Sequence, residues 1–153
     1  MSAREDLLEA MEDSLQLING AGQYTNSINP SAVSRELVTF TQFAQKGLLP
    51  GLALIDKGDE VFGAASSQVR TYRLSVSVVI YAKSQSGVDS ATKLNSYISD
   101  VIKAMTSPTT FTHNSNTWWT EYLGGDVFAD IGEGGMMAML DFKASYRNTW
   151  TTP

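Results

Sequence analysis

Tyr72-Arg73-Leu74-Ser75-Val76-Ser77-Val78-Val79-Ile80-Tyr81-Ala82-Lys83 is the stretch that decides the fold. Tyr72, Leu74, Val76, Val78 and Ile80 fall on one side of an extended chain, and Arg73, Ser75, Ser77 and Lys83 on the other. Successive strand side chains point to opposite faces, so this period-two pattern gives one apolar face and one wetter face. The strand is expected to start near Gln68, after the small-residue loop Gly63 to Ser67, and to end near Lys83. A helix follows at once. Ser86 and Asp89 have capping-box spacing with a shortened acid, and Val88, Ala91, Leu94, Ile98, Val101, Ile102 and Met105 form an apolar stripe at helical spacing. Ser107-Pro108 ends it.

A second alternating run closes the chain. Met136 to Trp150 places Ala138, Leu140, Phe142, Ala144 and Tyr146 on one face, with Thr151-Thr152-Pro153 as a tail. At the other end, Ser2 and Glu5 again have capping-box spacing, and Leu7, Leu8, Met11, Leu15 and Ile18 recur at helical spacing up to the stop Asn19-Gly20. These elements predict an α+β fold: a small, mainly antiparallel sheet with two helices packed on one face. No repeat, low-complexity tract or linker divides residues 1–153, which read as a single domain.

The intervening segments are less regular. Tyr24 to Ile28 reads as a short strand and Asn29-Pro30 as a turn. Ser34 to Gln45 is open between loop and short helix, because Leu37, Phe40 and Phe43 favour a helical turn while Val38, Thr39 and Thr41 favour extension. Leu52 to Ile55 reads as a short strand, with Asp56-Lys57-Gly58-Asp59 as the turn after it. Phe111 to Leu123 reads as a strand or hairpin, broken by Gly124-Gly125. A shorter strand, Val127 to Ile131, then meets the hairpin loop Gly132-Glu133-Gly134-Gly135.

Composition bounds the chemistry. A chain of 153 residues with 42% hydrophobic and 18% charged residues buries a real core and is too apolar for disorder. Without cysteine it forms no disulfide, thiolate zinc site or cysteine nucleophile. The N-terminus Met1-Ser2-Ala3-Arg4-Glu5-Asp6 does not read as a signal peptide, and no run approaches the roughly 18 apolar residues of a membrane helix. A net charge of -5 argues against gripping nucleic acid through its phosphates. It leaves room for a surface that DNA slides past. The acids Glu5, Asp6, Glu9, Glu12 and Asp13 of the first helix read as a solvated face, with an acidic rim facing a partner or DNA channel as the other reading.

Each candidate site has a plainer reading that is preferred. His113 is the only histidine, so a Ser-His-Asp arrangement would need it. It sits in the polar stretch Thr112 to Asn116, which reads as an exposed loop. Asp126, Asp130 and Glu133 lack the ligand order of a calcium loop and read as turn acids. Gly132 to Gly135 lacks the Lys and the following helix of a phosphate loop and reads as a hairpin tip. Trp118, Trp119 and Tyr122 would stack bases only beside basic residues, and no Lys or Arg occurs between Lys103 and Lys143. One tryptophan is expected in the core and the other, Trp118, at a protein contact. No catalytic, cofactor or metal site is expected, and the chain does not read as an enzyme. Val79 and Tyr81, with Met137 and Met139, put apolar groups on the wetter face, which is therefore covered by the chain's own helix or by a neighbour.

The arrangement resembles the tail terminator (tail completion) proteins of long-tailed bacteriophages. Three blocks carry the resemblance: Pro50 to Glu60, Tyr72 to Lys83 with the helix Ala91 to Met105, and Leu140 to Arg147. With the opening helix, the resemblance in element order covers nearly the whole chain. It implies a virion structural protein, without catalysis or cofactor, that forms a hexameric ring. Such a ring caps the tail tube, stops its polymerisation and joins the tail to the head-completion proteins. It would be assembled in the host cytoplasm and would reside at the tail–head junction, with no membrane partner. Genome DNA would pass the lumen without specific binding.

The interface residues are our own assignment. The hairpin tip Gly132, Glu133, Gly134 and Gly135 and the loop Thr109 to Thr117, which holds His113, are expected along the tube axis. Val79, Tyr81, Met137 and Met139 are expected around the ring, and Asn29 to Leu49 is read as an arm toward an adjacent ring. The rival readings are another head–tail connector or neck ring protein, a small ligand- or nucleic-acid-binding domain and, in a third class, an enzyme.

Overall fold

A computed structural model describes residues 3–64, 69–84, 89–106, 111–113, 116–128, 130–132 and 134–149. The elements in chain order are α1 (Ala3–Gln16), β1 (Val33–Ser34), α2 (Phe40–Gln45), β2 (Gly51–Ala64), β3 (Val69–Lys83), α3 (Asp89–Thr106), β4 (Phe111–His113), β5 (Asn116–Phe128) and β6 (Gly135–Thr149). They form an α+β fold with a six-stranded sheet in the order β1-β2-β3-β6-β5-β4. Every neighbouring pair is antiparallel except β1 with β2.

The two alternating runs of the sequence lie side by side at the sheet centre. Val76 pairs with Phe142, Val78 with Leu140 and Ile80 with Ala138, so both apolar faces point the same way. α1 and α3 cover that face. Leu7, Leu8, Met11 and Leu15 of α1 and Leu94, Val101, Ala104 and Met105 of α3 pack on Leu74, Val76, Val78, Ile80, Leu140 and Phe142, all of them buried. α1 touches both terminal strands, β1 and β4, and so lies across the sheet. Ser14 donates from its hydroxyl to the Ala104 carbonyl, tying the two helices together.

Polar clamps fix the helices in place. Arg4 bonds Asp56 at 2.6 Å and Asp59 at 3.0 Å, and the Tyr146 hydroxyl donates to Asp59 at 2.5 Å. The Tyr146 ring stacks on Tyr72, centroids 5.2 Å apart. Burial, with the Asp59 carboxylate second, pushes the Tyr146 phenol up from its ordinary value. A raised folded-state value means the unfolded chain loses this proton first. The stability is fully present below the ordinary tyrosine range of about 10 and is lost as the pH rises above it. Tyr146→Phe is therefore expected to cost about 1 kcal/mol at neutral pH and to flatten the alkaline decline. Chemical denaturation at several alkaline pH values checks this, and an unchanged slope would refute it.

Several sequence expectations are corrected. Asp56 to Asp59 is a bulge inside one long strand rather than the end of a short one. Gly124-Gly125 likewise bends β5 without ending it, and the separate strand at Val127 is the last part of β5. Tyr24 to Ile28 is no strand: a single bridge joins Asn19 and Ser27. The open segment Ser34 to Gln45 contains both extended and helical pieces, β1 and α2, with Thr39 and Gln42 forming a capping box at the start of α2. Asp6 is 4% exposed and Glu5 is bound by Arg35, so the acids of α1 are not one solvated face. The Arg35 guanidinium holds the Glu5 carboxyl below its usual range. Ser2, Ser86 and the tail 151–153 lie outside the described residues.

Candidate assembly surfaces

The outer face of the sheet, opposite α1 and α3, is divided. At one end it is polar. Ser77 donates to Asp141, Lys57 lies 3.6 Å from Asp141, and Lys143 lies 3.6 Å from Glu60. At the other end Ala53, Val79 and Tyr81 are buried beneath α2, with Met137 and Met139 half-buried at the margin. Phe40 and Phe43 lie 6.3 and 5.8 Å from the Tyr81 ring, and burial raises the Tyr81 phenol above its ordinary value. The alternative left open by the sequence, own helix or neighbour, is answered for Val79 and Tyr81 by the chain's own α2.

Two glycines make this packing possible. A Cβ on Gly51 would lie 2.7 Å from the Phe43 ring, and one on Gly135 would lie 2.7 Å from the Phe40 ring. Gly51→Ala is expected to push α2 outward at about 1–3 kcal/mol, visible as a lower denaturation midpoint. A variant as stable as the parent would show that the rings are not seated this closely.

The hairpin tip is a tight, bonded turn. The Gly135 amide donates to the Gly132 carbonyl at 2.9 Å, and the Ser84 amide to the Gly134 carbonyl at 2.8 Å. Gly132 and Gly134 are exposed with φ of 79° and 73°, a region that favours glycine. Gly135 is buried under Phe40, and Glu133 lies outside the described residues. Asp130 accepts the Gly132 amide at 2.9 Å, so it caps the turn. Among the described residues no three His, Asp or Glu side chains converge as metal ligands, and no helix is long and apolar enough to cross a membrane.

His113 is the last residue of β4, opposite Asn116, and Trp118 pairs with Phe111. Within the expected loop Thr109 to Thr117, residues 111–113 and 116–117 belong to paired strands, and residues 109–110 and 114–115 lie outside the described ones. Of the expected interface positions, Gly135 meets the α2 patch at Phe40, and Val79, Tyr81, Met137 and Met139 cluster with it, whereas His113 and Trp118 lie on the β4–β5 pair.

One surface escaped the sequence reading. β4 pairs only with Asn116 to Trp118, so from Trp119 to Phe128 the margin of β5 away from β6 is open among the described residues. Tyr122, Leu123, Val127 and Phe128 are 36 to 54% exposed there, and Ile131 just beyond is 37% exposed. Tyr122 and Val127 lie on the helix side, opposite Phe142 and Ala138, and Phe128 on the outer side, opposite Met137. Exposed apolar groups thus flank the open strand on both faces, a recurrent contact surface. Its signal in the sequence was the run Tyr122 to Ile131, rich in apolar residues and free of Lys and Arg.

The sheet, its helix-covered face and its open margin define an α+β fold. No protein-family model and no curated protein matches the chain. Among solved structures, a chain from the virion of a native gene transfer agent (GTA) particle shares the fold. Its TM-score is 0.54 at 9% identity, with 96% of each chain covered.

Proposed function

We propose that residues 1–153 act as one domain of a phage-type virion, forming a ring that caps the tail tube and joins the tail to the head-completion proteins. The observation that carries this is the shared fold, end to end, with a chain of a GTA virion. The likeness is architectural, since identity is 9%, and it extends over 96% of both chains. The surfaces agree with such a role. They are apolar and, among the described residues, open at β5, with hydrogen bonds to the Gly132 and Gly134 carbonyls in the turn before β6.

The proposed mechanism is geometric and needs no catalysis. A subunit binds the last ring of tube subunits on one side and offers no continuing interface on the other. Closure of a ring needs two different complementary patches on each subunit. The hairpin tip with Glu133, together with His113 and Trp118, is proposed for contacts along the axis. Met137 and Met139 flank α2 and are proposed for contacts around the ring, where Val79 and Tyr81 would take part only if α2 moved. The net charge of -5 suits a lumen that repels DNA phosphates.

The test is assembly itself. Light scattering behind a sizing column and negative-stain imaging are expected to give six-fold rings at high concentration, or rings on tube ends when polymerising tube protein is added. Tubes should stop growing at a ring. Rings that leave tube growth unchanged would move the reading to a neck ring component. A chain that stays monomeric and leaves tube ends bare would overturn it.

A further inference from the structure

The two long sheet margins are finished differently. Beyond the short β1, the margin of β2 carries the bulge between Asp56 and Asp59, the mixed charges Asp56, Lys57, Asp59 and Glu60, and the Arg4 clamp. Bulges and charges, lysine above all, keep stray strands from pairing. The β5 margin from Trp119 to Phe128 has neither proline nor lysine. Its bulge after Tyr122 leaves Gly124 to Phe128 as an unbroken run in register with β6. In such a strand, alternate backbone N–H and C=O groups face away from the sheet, and from Gly124 to Phe128 no strand among the described residues pairs with them on that side.

The side chains beside this margin specify the partner. Leu123, Val127 and Phe128 offer exposed apolar surface, and Glu121, Asp126 and Asp130 are exposed acids. Lys143 of β6 stands opposite Glu121 and Asp130 holds the Gly132 amide, so Asp126, opposite Met139, is the acid of this margin with no basic residue across the ladder. We propose that the β5 margin receives an extended segment of another protein as an added strand, one in which apolar side chains alternate with Lys or Arg. Main-chain hydrogen bonds supply the affinity of such additions, and alternate side chains supply the choice of partner. A second copy of this chain fits less well. A β5–β5 pairing would bring the acids Glu121 and Asp126 of both copies to one seam, where like charges set opposite destabilise. The β2 margin is bulged and carries three acids to one lysine between Asp56 and Glu60. The proposal deepens the assembly reading, on which it rests for the partner being another virion protein.

The probe is a synthetic peptide of about ten residues alternating Val and Lys, a typical strand length. Titrated into the full chain, it is expected to slow amide hydrogen exchange within 119–128. It should bind about tenfold or more tighter than the matching Val–Glu peptide, because complementary charge selects partners. A central proline removes a ladder donor and should weaken it by about tenfold at unchanged charge. The variant Glu121→Lys/Asp126→Lys, changed only at exposed positions, should reverse the preference and favour the Val–Glu peptide.

Binding that proline leaves intact would reveal mere charge attraction and overturn the proposal. So would absence of binding, or protection that falls outside 119–128. Protection of 119–128 that rises with protein concentration alone would assign the margin to a second copy instead. Six-fold rings that form normally in the double variant would separate failure here from failure of the ring reading.

Discussion

Asp100→Ala is expected to lower the thermal midpoint by about 6–12 °C, the equivalent of about 3 kcal/mol in a chain of this size. Asp100 is 0% exposed on α3 and accepts three hydrogen bonds. They come from the Thr25 amide at 3.0 Å, the Asn26 amide at 2.8 Å and the Asn26 side-chain amide at 2.9 Å. Asn26, 4% exposed, also donates to Ser96 and accepts from Lys93, and Lys103 bonds the Gln23 carbonyl. One carboxylate thus folds the connection after α1 onto α3. Removing it strands the buried Asn26 backbone amide and takes an acceptor from the Thr25 amide and the Asn26 side chain, which costs more than the bonds themselves contributed. Asp100→Asn keeps one carbonyl acceptor but turns an amide toward a donor, so it should recover only part of the loss. Thermal melts of the three proteins decide the matter. An alanine variant that melts with the parent would show that the loop holds without this anchor.

That anchor was invisible in the sequence, and the reason is general. Asp100 looks like one polar position among many on an amphipathic helix, and its partners lie more than seventy residues earlier. What was legible depended on period alone. Leu74 to Ile80 and Ala138 to Tyr146 gave the two central strands because each repeats every second residue against a buried face. Leu94, Val101 and Met105 gave α3 for the corresponding reason at helical spacing.

Where sequence reasoning failed, a distant contact overruled local turn chemistry. Asp56-Lys57-Gly58-Asp59 has the composition of a turn, and Gly58 adopts a φ of 93°. The strand nevertheless continues, with Arg4 of α1 bridging Asp56 and Asp59 across the bulge. Gly125 reads as a breaker, yet a Cβ there would lie 2.4 Å from the Met139 carbonyl, so the neighbouring strand demands glycine at that place. The run Tyr122 to Ile131 showed the apolar surface of β5 but not that its margin is open, because strand order decides that and no local pattern encodes it.

Phe43→Ala is expected to have a comparable effect, about 3 kcal/mol, with a different distribution through the molecule. Phe43 is 2% exposed and sits between Tyr81 and Gly51, so its loss removes the main plug between α2 and the outer face. α2 is a six-residue helix that cannot persist without tertiary packing. The loss should therefore be local first: amides from Thr39 to Leu48 exchange faster, while those of β3 and β6 keep their protection. Val79 and Tyr81 then become accessible together with Met137 and Met139. If the proposed ring uses this face through a movement of α2, the variant should assemble at lower concentration than the parent. If α2 is a permanent cover, the newly exposed apolar patch should produce irregular aggregates instead, and rings should be lost. Hydrogen exchange with negative-stain imaging of the same sample distinguishes the two. Loss of protection spread evenly over the sheet would mean that α2 is an integral part of the core.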